Sequence, residues 1–431
     1  MPAAANDGEP RFSVVVAAWN TGERILPTLR SVLAQTLRPL EIIVVGDGCT
    51  DDTGGILAAN FGEAVSWENL PRNHGSQSYP NNRGVERARG THIAYLGHDD
   101  VWSPQHLQRL AACFRTAGPD FAVSGAIYHG PPGSHYYHLT GMFDDPAAAG
   151  REFFPPSSFA HRRDVVAKIG PWRDPRDIAA PVDCEFLLRA VAHGCTFAST
   201  NVVTVHKFAA GHRYLSYRFP SADEQQRMLA RLLRDDGEAE VLREFEADLA
   251  DGAFAPPIAY MDFSRFAPGE LHDLARQYKG LDRPALVDVA ETLAIAPTAS
   301  PAGLDWHALE VHPVHGPFRW SGPNPNPLRW LPVTVHGAFH VRVHVVAVAA
   351  PGLVEALALE VNDRPATLSI EPAADATFVL IARPGFTGPV NDGLKLRFRM
   401  PYSARLPDDP LQRRGGIAVG DVRVVPEPYQ R

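Results

Sequence analysis

Two adjacent aspartates, Asp99 and Asp100, stand at the end of an apolar run in the segment YLGHDDVW. Carboxylate oxygens are hard ligands, so a pair of them can hold Mg²⁺ or Mn²⁺. The same pair can instead form the turn before a helix, because Ser103 and Pro104 are typical of an N-cap and a first helical position. Both interpretations are open from this segment alone, and neighbouring motifs must decide between them.

Polar residues follow two further apolar runs. Residues 18–20 end the run FSVVVAAW, and Asp47 follows LEIIVVG. In open parallel sheets, ligands bind outside the carboxyl ends of the strands, so these positions and residues 98–100 are expected to converge on one crevice. Asp47 also suits a simple Gly-Asp-Gly turn, and Asp183 suits the start of the helix DCEFLLRAVAHG through the helix dipole alone.

The first part of the chain alternates strand-like and helix-like segments. Between Phe12 and about residue 115, apolar runs alternate with segments whose apolar residues have helical spacing. This is the order of a doubly wound α/β unit. THIAYLGHDD is predicted as its third strand, and PQHLQRLAACF as the helix after it, capped by Ser103. Residues up to 220 supply the other half of the same domain, so the sequence predicts a domain over 1–220.

Two different patterns follow this domain. Residues 221–302 are predicted to be a helical connector, with a capping box of Ser221 and Glu224 in SADEQQRMLARLLRD and further helices in GELHDLARQY and PALVDVAETLA. From 303 to 431 the period becomes two: FHVRVHVVAV and LKLRFRM alternate apolar and polar residues, which predicts an antiparallel β-sandwich. Three regions are therefore expected: 1–220, 221–302 and 303–431.

Composition narrows the function classes. Lys and Arg number 41 against 49 Asp and Glu, for a net charge of −8 among 431 residues, which argues against a nucleic-acid partner. The four cysteines have no CxxC spacing and fit a reducing compartment. The N-terminus does not have the pattern of a signal peptide, and no segment has the pattern of a transmembrane span, so a cytoplasmic protein is expected.

Several segments in order resemble the inverting glycosyltransferases of family 2, which have the Rossmann-like, nucleotide-sugar-binding fold called type A. The matching text is FSVVVAAWN, SVLAQTLRPLEIIVVGDGCTDDT, NNRGVERARGTHIAYLGHDDVWSP, SSFAHRRDVVAKIGPWRD and VDCEFLLRAVAHGCTF. The resemblance covers roughly residues 11–215, and the order of the motifs makes it more specific than any one of them.

The resemblance implies a role for each matching position. Asp47 would accept hydrogen bonds from the nucleotide base, with Ala18 and Asp100 also at the nucleotide. Asp99 would bind the metal, Mn²⁺ or Mg²⁺, which neutralises a diphosphate leaving group. Asp183 would be the base that takes a proton from the acceptor hydroxyl.

The sequence departs from the family pattern at Gly97, where many relatives have an aspartate, and at Val182, where an acidic residue commonly precedes the base. Metal affinity or donor choice is therefore expected to differ. Other side chains are open as ligands or phosphate contacts: His98, His206, His212, Lys207 and Arg213.

The resulting prediction is a metal-dependent inverting glycosyltransferase. Its donor would be a UDP-sugar, with guanosine or thymidine donors as alternatives, and its acceptor a glycan or lipid-linked sugar in surface polysaccharide synthesis. A homo-oligomer is open. Two rival functions are kept: a catalytically weakened nucleotide- or glycan-binding scaffold, and a sugar-nucleotidyltransferase, although AAWNTGER is not the glycine-rich, basic loop typical of the latter.

Overall fold

The computed structural model describes residues 9–129, 137–208, 216–217, 220–250, 254–255, 259–281, 285–298, 306–307, 309–322, 325–373, 375–409 and 413–427. The chain divides into two compact units. The first comprises residues 1–129, 136–209 and 219–276, and the second comprises 130–135, 210–218 and 277–431. Among the described residues, none of the helices combines the length and apolar composition needed to cross a lipid bilayer.

The first unit is built on a mixed sheet. Its strands are β1 Phe12–Ala18, β2 Glu41–Gly46, β3 Ser66–Asn69, β4 His92–Tyr95, β5 Asp100–Trp102, β6 Phe121–His129, β7 Tyr137–Thr140, β8 Phe159–Arg162, β9 Phe197–Lys207 and β10 Phe254–Ala255. The main order is β10-β7-β6-β8-β4-β1-β2-β3, and β9 pairs with both β5 and β6. Strands β4, β1, β2 and β3 are parallel neighbours, which places the carboxyl ends of β1, β2 and β4 at one edge.

Helices cover both faces of this sheet. The described α-helices between residues 25 and 279 are α1 Ile25–Leu33, α2 Thr53–Phe61, α3 Ser78–Arg87, α4 His106–Ala117, α5 Val165–Ile169, α6 Val182–Ala192, α7 Asp223–Leu232, α8 Gly237–Ala250 and α9 Glu270–Lys279. Successive residues of β1 enter two different cores: Val14 and Val16 pack with Leu29 of α1, whereas Val15 packs with Phe186 of α6. A strand buried on both faces is expected to be almost entirely apolar, which explains the sequence of β1 apart from Ser13, whose hydroxyl donates to Glu41 at 2.7 Å. The predicted α/β architecture of this domain is confirmed.

The predicted third strand is divided in two. β4 ends at Tyr95, a turn follows, and Asp100 begins the separate strand β5, which pairs antiparallel with β9. Asp100 lies opposite Lys207 in this pairing, and Trp102 lies opposite Val205. Asp100 is therefore a strand residue, which answers part of the question raised by YLGHDDVW: it does not open the next helix.

Two predicted helix starts are wrong. The structure begins α4 at His106 rather than at Pro104, because the Ser103 amide continues the strand pairing by donating to the Thr204 carbonyl at 2.9 Å. Likewise α7 begins at Asp223, and the Ser221 hydroxyl accepts from the Asp223 amide at 3.2 Å, without the predicted capping box. In the first case, long-range pairing determined the local structure rather than capping propensity.

The region predicted as a connector contains α7, α8 and α9, and the first unit extends through it as far as Arg276. The helix predicted in PALVDVAETLA is wrong. That segment contains β11 Val287–Asp288 and β12 Leu293–Ile295, which pair with strands of the second unit. The apolar residues of this short segment suit either element, and pairing with existing strands favours the extended one.

The second unit is mainly an antiparallel β-structure, as predicted. Besides β11 and β12, its strands are β13 Glu310–His312, β14 Gly316–Trp320, β15 Leu328–Leu331, β16 Val333–Thr334, β17 Phe339–Val348, β18 Ala358–Val361, β19 Arg364–Pro372, β20 Phe378–Pro384, β21 Leu394–Arg399, β22 Ala404–Arg405, β23 Arg414–Gly415 and β24 Ile417–Pro426. The order β13-β14-β24-β17-β20-β19-β18-β21-β15 bends at β19, which pairs with β20 and with β18. Val341 and Val343 of β17 and Leu396 and Phe398 of β21 share one core, which confirms the alternation.

Candidate active site

The ends of β1 and β2 meet at the first two predicted positions. Ala18 pairs with Gly46, and the amide of the next residue, Asp47, donates to the Ala18 carbonyl at 2.8 Å. Both Ala18 and Asp47 are buried. The predicted convergence of these strand ends is therefore present in the structure.

Asp47 is not a free turn residue. Its Oδ2 accepts from the Gly75 amide at 2.8 Å and from the Asn73 side chain at 3.2 Å, and the His74 amide lies 3.0 Å from both oxygens. Its Oδ1 also lies 3.0 Å from Nδ1 of His74. A carboxylate offers about four lone-pair sites, so residues 73–75 fill the acceptor capacity of Asp47.

The turn after β4 fixes Asp99 and Asp100. The Thr28 hydroxyl of α1 lies 3.0 Å from the His98 carbonyl and 2.8 Å from the Asp100 carbonyl, which ties this turn to the helix after β1. The Asp99 carbonyl accepts from Nε2 of Gln225 at 3.1 Å, and Asp99 itself is half-buried. The turn thus has side-chain contacts from both α1 and α7.

Asp100 is fully buried and asymmetrically bonded. Its Oδ2 accepts from Nζ of Lys207 at 2.8 Å and from the Ser157 hydroxyl at 2.5 Å. Its Oδ1 is buried and has no hydrogen-bond partner among the described residues. Burial raises the pKa of the Asp100 carboxyl, while Lys207 and Ser157 oppose that rise. An unpaired buried carboxylate oxygen is costly, so this atom is where a cation or donor is expected.

The Lys207 ammonium is influenced by the charges of three aspartates. Burial disfavours its ammonium, but the charges of Asp100, Asp99 and Asp183 act in the opposite direction, and the pKa of Lys207 is raised. Its Nζ also lies 5.8 Å from the ring centroid of Tyr128. Asp99, Asp100 and Asp183 therefore all lie within electrostatic range of the Lys207 ammonium, and Asp100 also contacts it directly at 2.8 Å. The shared site of the predicted metal-binding and base residues stays a prediction.

Asp183 lies in the first turn of α6. Its Oδ1 accepts from the Cys184 amide at 3.0 Å, which satisfies one of the unpaired amides of the helix start. Its charge also contributes, after burial, to the raised pKa of both Tyr128 and Tyr260. This half-buried carboxylate is therefore near the site containing Lys207 and near two buried phenols.

Glu185, two residues after Asp183, has a different role. Its carboxylate accepts from Arg189 at 2.8 and 3.0 Å and lies 3.1 Å from Arg173. Arg189 in turn donates to the carbonyls of Ile169, Gly170 and Pro171. Glu185 therefore belongs to an ion pair that fixes the loop after α5, which makes it a poor replacement for Asp183 as a base.

The histidines considered as metal ligands are placed differently. His206 is buried, its Nδ1 lies 3.2 Å from Nε2 of His129, and its Nε2 lies 3.4 Å from the Ser103 hydroxyl. Burial lowers the pKa of His206 to about 3, so it is a neutral core histidine with both nitrogens engaged. Nδ1 of His98 lies 3.2 Å from the Ala17 carbonyl. His212 and Arg213 lie outside the described residues.

The donor set fits a divalent cation only in part. The described residues contain no cluster of three or more His, Cys, Asp or Glu side chains that could hold a metal by itself. Mg²⁺ at diphosphate sites is commonly bound by one or two carboxylates together with phosphate oxygens. The half-buried Asp99 and the unpaired Oδ1 of Asp100 fit that second type of site.

Comparison with protein families gives a match within the first unit. Residues 13–170 match the family described as glycosyl transferase family 2. The chain contains a family 2 glycosyltransferase domain. This result confirms the resemblance drawn from the motifs between residues 11 and 215.

Curated relatives are also similar to part of this chain. A succinoglycan biosynthesis protein of Rhizobium meliloti is 36% identical over 119 residues, which is 28% of this chain and 34% of that protein. A PGL/p-HBAD biosynthesis glycosyltransferase of Mycobacterium bovis is 29% identical over 168 residues, 38% of this chain and 63% of that protein. An uncharacterized glycosyltransferase of Nostoc is 30% identical, over 37% of this chain and 53% of its own length. The matches therefore span about a third to two thirds of these relatives.

Solved structures of TarS from S. aureus are also similar. The full-length TarS structure covers 98% of this chain and 96% of its own, at 13% identity and a TM-score of 0.38. The structure of TarS residues 1–349 in complex with UDP-GlcNAc covers 56% of this chain and 73% of its own, at 18% identity and a TM-score of 0.38.

The two departures from the glycosyltransferase pattern have structural explanations. A Cβ atom on Gly97 would lie 2.7 Å from Oδ2 of Asp100 and 3.2 Å from Oδ1 of Asp99, so any side chain there would crowd both carboxylates. The Gly97 amide donates to the Ser157 hydroxyl at 3.0 Å. Val182 packs on the core that contains Phe186. Gly97 thus leaves room for the acidic pair, and Val182 is a packing residue.

Sequence reasoning missed two contributors to the candidate site. Ser157 donates to Asp100 and accepts from Gly97, and His74 binds Asp47 through both its backbone and its ring. Ser157 lies inside the matching segment SSFAHRRD, but a serine in a strand-like stretch has no distinctive signal. His74 stands between Asn73 and Gly75 in a turn-like segment, where the pattern predicts only a loop.

Proposed function

We propose that the chain transfers a sugar, with inversion, from a nucleotide-diphosphate donor to a hydroxyl group of a glycan or lipid-linked acceptor. The observation that carries the proposal is the buried Asp100 carboxylate, which is held by Lys207 and Ser157 through Oδ2 and follows Asp99 in the turn after β4, at the carboxyl ends of the parallel strands. Such a site has acidic groups for a cation and a separate carboxylate for a proton. A cytoplasmic location is part of the proposal.

The donor proposed is a UDP-sugar. A carboxylate accepts hydrogen bonds and donates none, so Asp47 favours a base with a ring N–H, as uracil, thymine and guanine have and cytosine does not. The amides of His74 and Gly75 donate to Asp47 and fix the position of its carboxylate. UDP is the first choice, and guanosine and thymidine donors are the alternatives.

A divalent cation, Mn²⁺ or Mg²⁺, is proposed at Asp99 and Asp100. When bound, it supplies positive charge that stabilises the diphosphate as the leaving group. Asp99 and Oδ1 of Asp100 would provide its protein ligands. Oδ2 of Asp100 stays with Lys207 and Ser157, so that Lys207 remains a second, fixed positive charge beside the acidic pair.

The proposed chemical step is a single displacement. The acceptor oxygen forms a bond to the anomeric carbon, the bond from that carbon to the diphosphate breaks, and the electron pair leaves with the diphosphate. Asp183 takes the proton of the acceptor hydroxyl, which is too weak a nucleophile to react unaided. Attack opposite the leaving group inverts the anomeric centre.

The acceptor class is proposed from the relatives. The names of two of them refer to succinoglycan biosynthesis and to PGL/p-HBAD biosynthesis, which are a polysaccharide and a glycolipid context. We therefore propose an acceptor in surface polysaccharide or glycolipid synthesis. The sandwich of the second unit is not needed for this assignment.

A donor screen tests the proposal. UDP-, GDP- and dTDP-sugars are incubated with the protein, with Mn²⁺ or with EDTA, and the released nucleoside diphosphate is measured. We expect release from one donor class that requires Mn²⁺ and is lost in Asp99→Asn. Asp408→Asn is the matched control, because Asp408 is exposed in the second unit and has a positive φ of 52° that asparagine also tolerates. No release from any donor, or full release by Asp99→Asn, contradicts the proposal.

A further inference from the structure

The His74 ring contacts Asp47, the residue proposed to bind the nucleobase, and Tyr79. Its Nδ1 lies 3.0 Å from Oδ1 of Asp47, and its imidazole stacks on the Tyr79 ring with centroids 3.9 Å apart and planes 13° apart. Its Nε2 accepts from Nε of Arg72 at 3.2 Å. Because arginine can only donate, this third contact places the imidazole proton on Nδ1, and His74 donates to Asp47.

A nucleobase bound at Asp47 would need the same two interactions. Its ring N–H would donate to the Asp47 carboxylate, and its flat face would require an aromatic surface, since bases gain affinity by stacking on aromatic side chains. The His74 imidazole is a flat heterocycle that already does both. Its side chain is only 9% exposed, so it fills this place rather than lining it from the side.

We propose that His74 is a gate on the nucleotide site: its imidazole occupies the base position in the nucleotide-free protein, and the incoming base displaces it. The base then donates to Asp47 and stacks on Tyr79. This inference rests on the proposed function, because it takes Asp47 as the base-binding residue, but it assigns new roles to His74 and Tyr79.

The surrounding contacts allow such an exchange. The amides of His74 and Gly75 bind Asp47 through the backbone, so they keep the carboxylate in place when only the ring moves away. The preceding residues Arg72 and Asn73 are exposed, which places solvent beside the loop. The Tyr79 hydroxyl donates to Asp174 at 2.9 Å, so the stacking surface itself stays fixed.

The gate has a measurable consequence for affinity. A ligand that binds only the open state has its apparent affinity reduced by the fraction of protein that is open. Removing the imidazole therefore increases the affinity for the base, whereas removing the Tyr79 ring decreases it. A purely structural role for His74 predicts the opposite sign for its own removal.

Calorimetric titration with UDP, uridine and pyrophosphate tests the gate. We expect His74→Ala to bind UDP and uridine roughly tenfold more tightly than the unmodified protein and pyrophosphate equally well. Tyr79→Ala should bind UDP and uridine at least about fivefold more weakly, and Tyr79→Phe, which keeps the ring but not its contact with Asp174, should lose less affinity than Tyr79→Ala. Arg72→Gln, which removes the partner of Nε2, should strengthen uridine binding less than His74→Ala.

The outcomes separate the gate from the proposed function. Equal or weaker uridine binding by His74→Ala overturns the gate, even if UDP binding still depends on Asp47. Absence of nucleotide binding in every variant and in the unmodified protein overturns the proposed function as well. Melting temperatures check folding, and His74→Gln, which is expected to strengthen uridine binding in the same direction, replaces His74→Ala if the alanine variant is unstable.

Discussion

The Lys207 ammonium lies 2.8 Å from Oδ2 of Asp100, a carboxylate with no exposed surface, and the two residues face each other across β5 and β9. The pair holds the turn with Asp99 against the strand that follows α6. Removing one member of a buried pair leaves the other charge uncompensated, which costs more than the pair contributes.

We therefore predict that Lys207→Met lowers the free energy of unfolding by about 3–5 kcal/mol. The free energy of unfolding should fall much less in Lys207→Arg, because arginine keeps the positive charge. The double variant Lys207→Met with Asp100→Asn should regain part of the loss, since no unpaired charge remains. Urea unfolding of the four proteins measures this, and a Lys207→Met variant as stable as the unmodified chain would mean that the pair is not buried in solution.

Gly97 provides a second prediction. Restoring the aspartate that many relatives have, by Gly97→Asp, should reduce both stability and donor turnover, because the new Cβ would lie 2.7 Å from Oδ2 of Asp100. Gly97→Ala tests the steric part alone, without added charge. Thermal melting and the donor assay give the result, and a Gly97→Asp variant with increased turnover would show instead that the site lacks an acidic ligand.

Asp47 is expected to affect both binding and stability. The turn-like sequence around Asp47 predicts that Asp47→Ala loses little packing. The structure instead buries this carboxylate under contacts from Asn73, His74 and Gly75. We predict that Asp47→Ala weakens UDP binding and also destabilises the protein by about 1–3 kcal/mol through unpaired amides. Urea unfolding and UDP titration measure the two effects. Unchanged UDP affinity would mean that Asp47 has only a structural role.

Acid sensitivity follows from buried histidines. Burial lowers the pKa of His106 and His206 to about 3 and that of His92 and His161 to about 4. The ordinary histidine pKa is about 6.5, so between that value and the lowered ones the unfolded chain binds protons that the folded chain does not. Stability should therefore be complete above about pH 6.5 and should fall as the pH drops towards 4 and then 3.

Variants isolate one histidine from this acid effect. His106→Gln removes a titrating group whose Nε2 is buried without a partner, so its unfolding free energy should fall less steeply between about pH 6.5 and pH 4. His336→Gln is the control, because the His336 side chain is 66% exposed. Chemical denaturation across this pH range gives the slopes, and equal slopes for His106→Gln and the unmodified protein would contradict a buried neutral His106.

The sequence predicted what local patterns determine. The continuous apolar run of β1 and the alternation of Val341 and Val343 in β17 are visible without any partner, because burial on two faces or on one leaves a distinct period. The positions of Ala18 and Asp47 followed from the same reasoning, since strand ends in a parallel sheet must share an edge.

Long-range partners could not be predicted in this way. Asp100 is a strand residue because of Lys207, which is 107 residues away, and its other donor, Ser157, is 57 residues away. Ser103 continues that pairing to Thr204 instead of capping α4. The segment that forms β11 and β12 has helical spacing, and only its pairing with β16 and β24 makes it extended.

The most direct test of the account is the Asp183→Asn variant in the donor assay. Asparagine keeps the shape and the contact with the Cys184 amide but cannot take a proton, so UDP affinity, Mn²⁺ affinity and melting temperature should stay unchanged. Turnover should fall by about 10²- to 10⁴-fold, as is typical for the loss of a general base. Normal turnover together with normal binding and melting would contradict the central claim, because Asp183 would then be only a residue of the helix start.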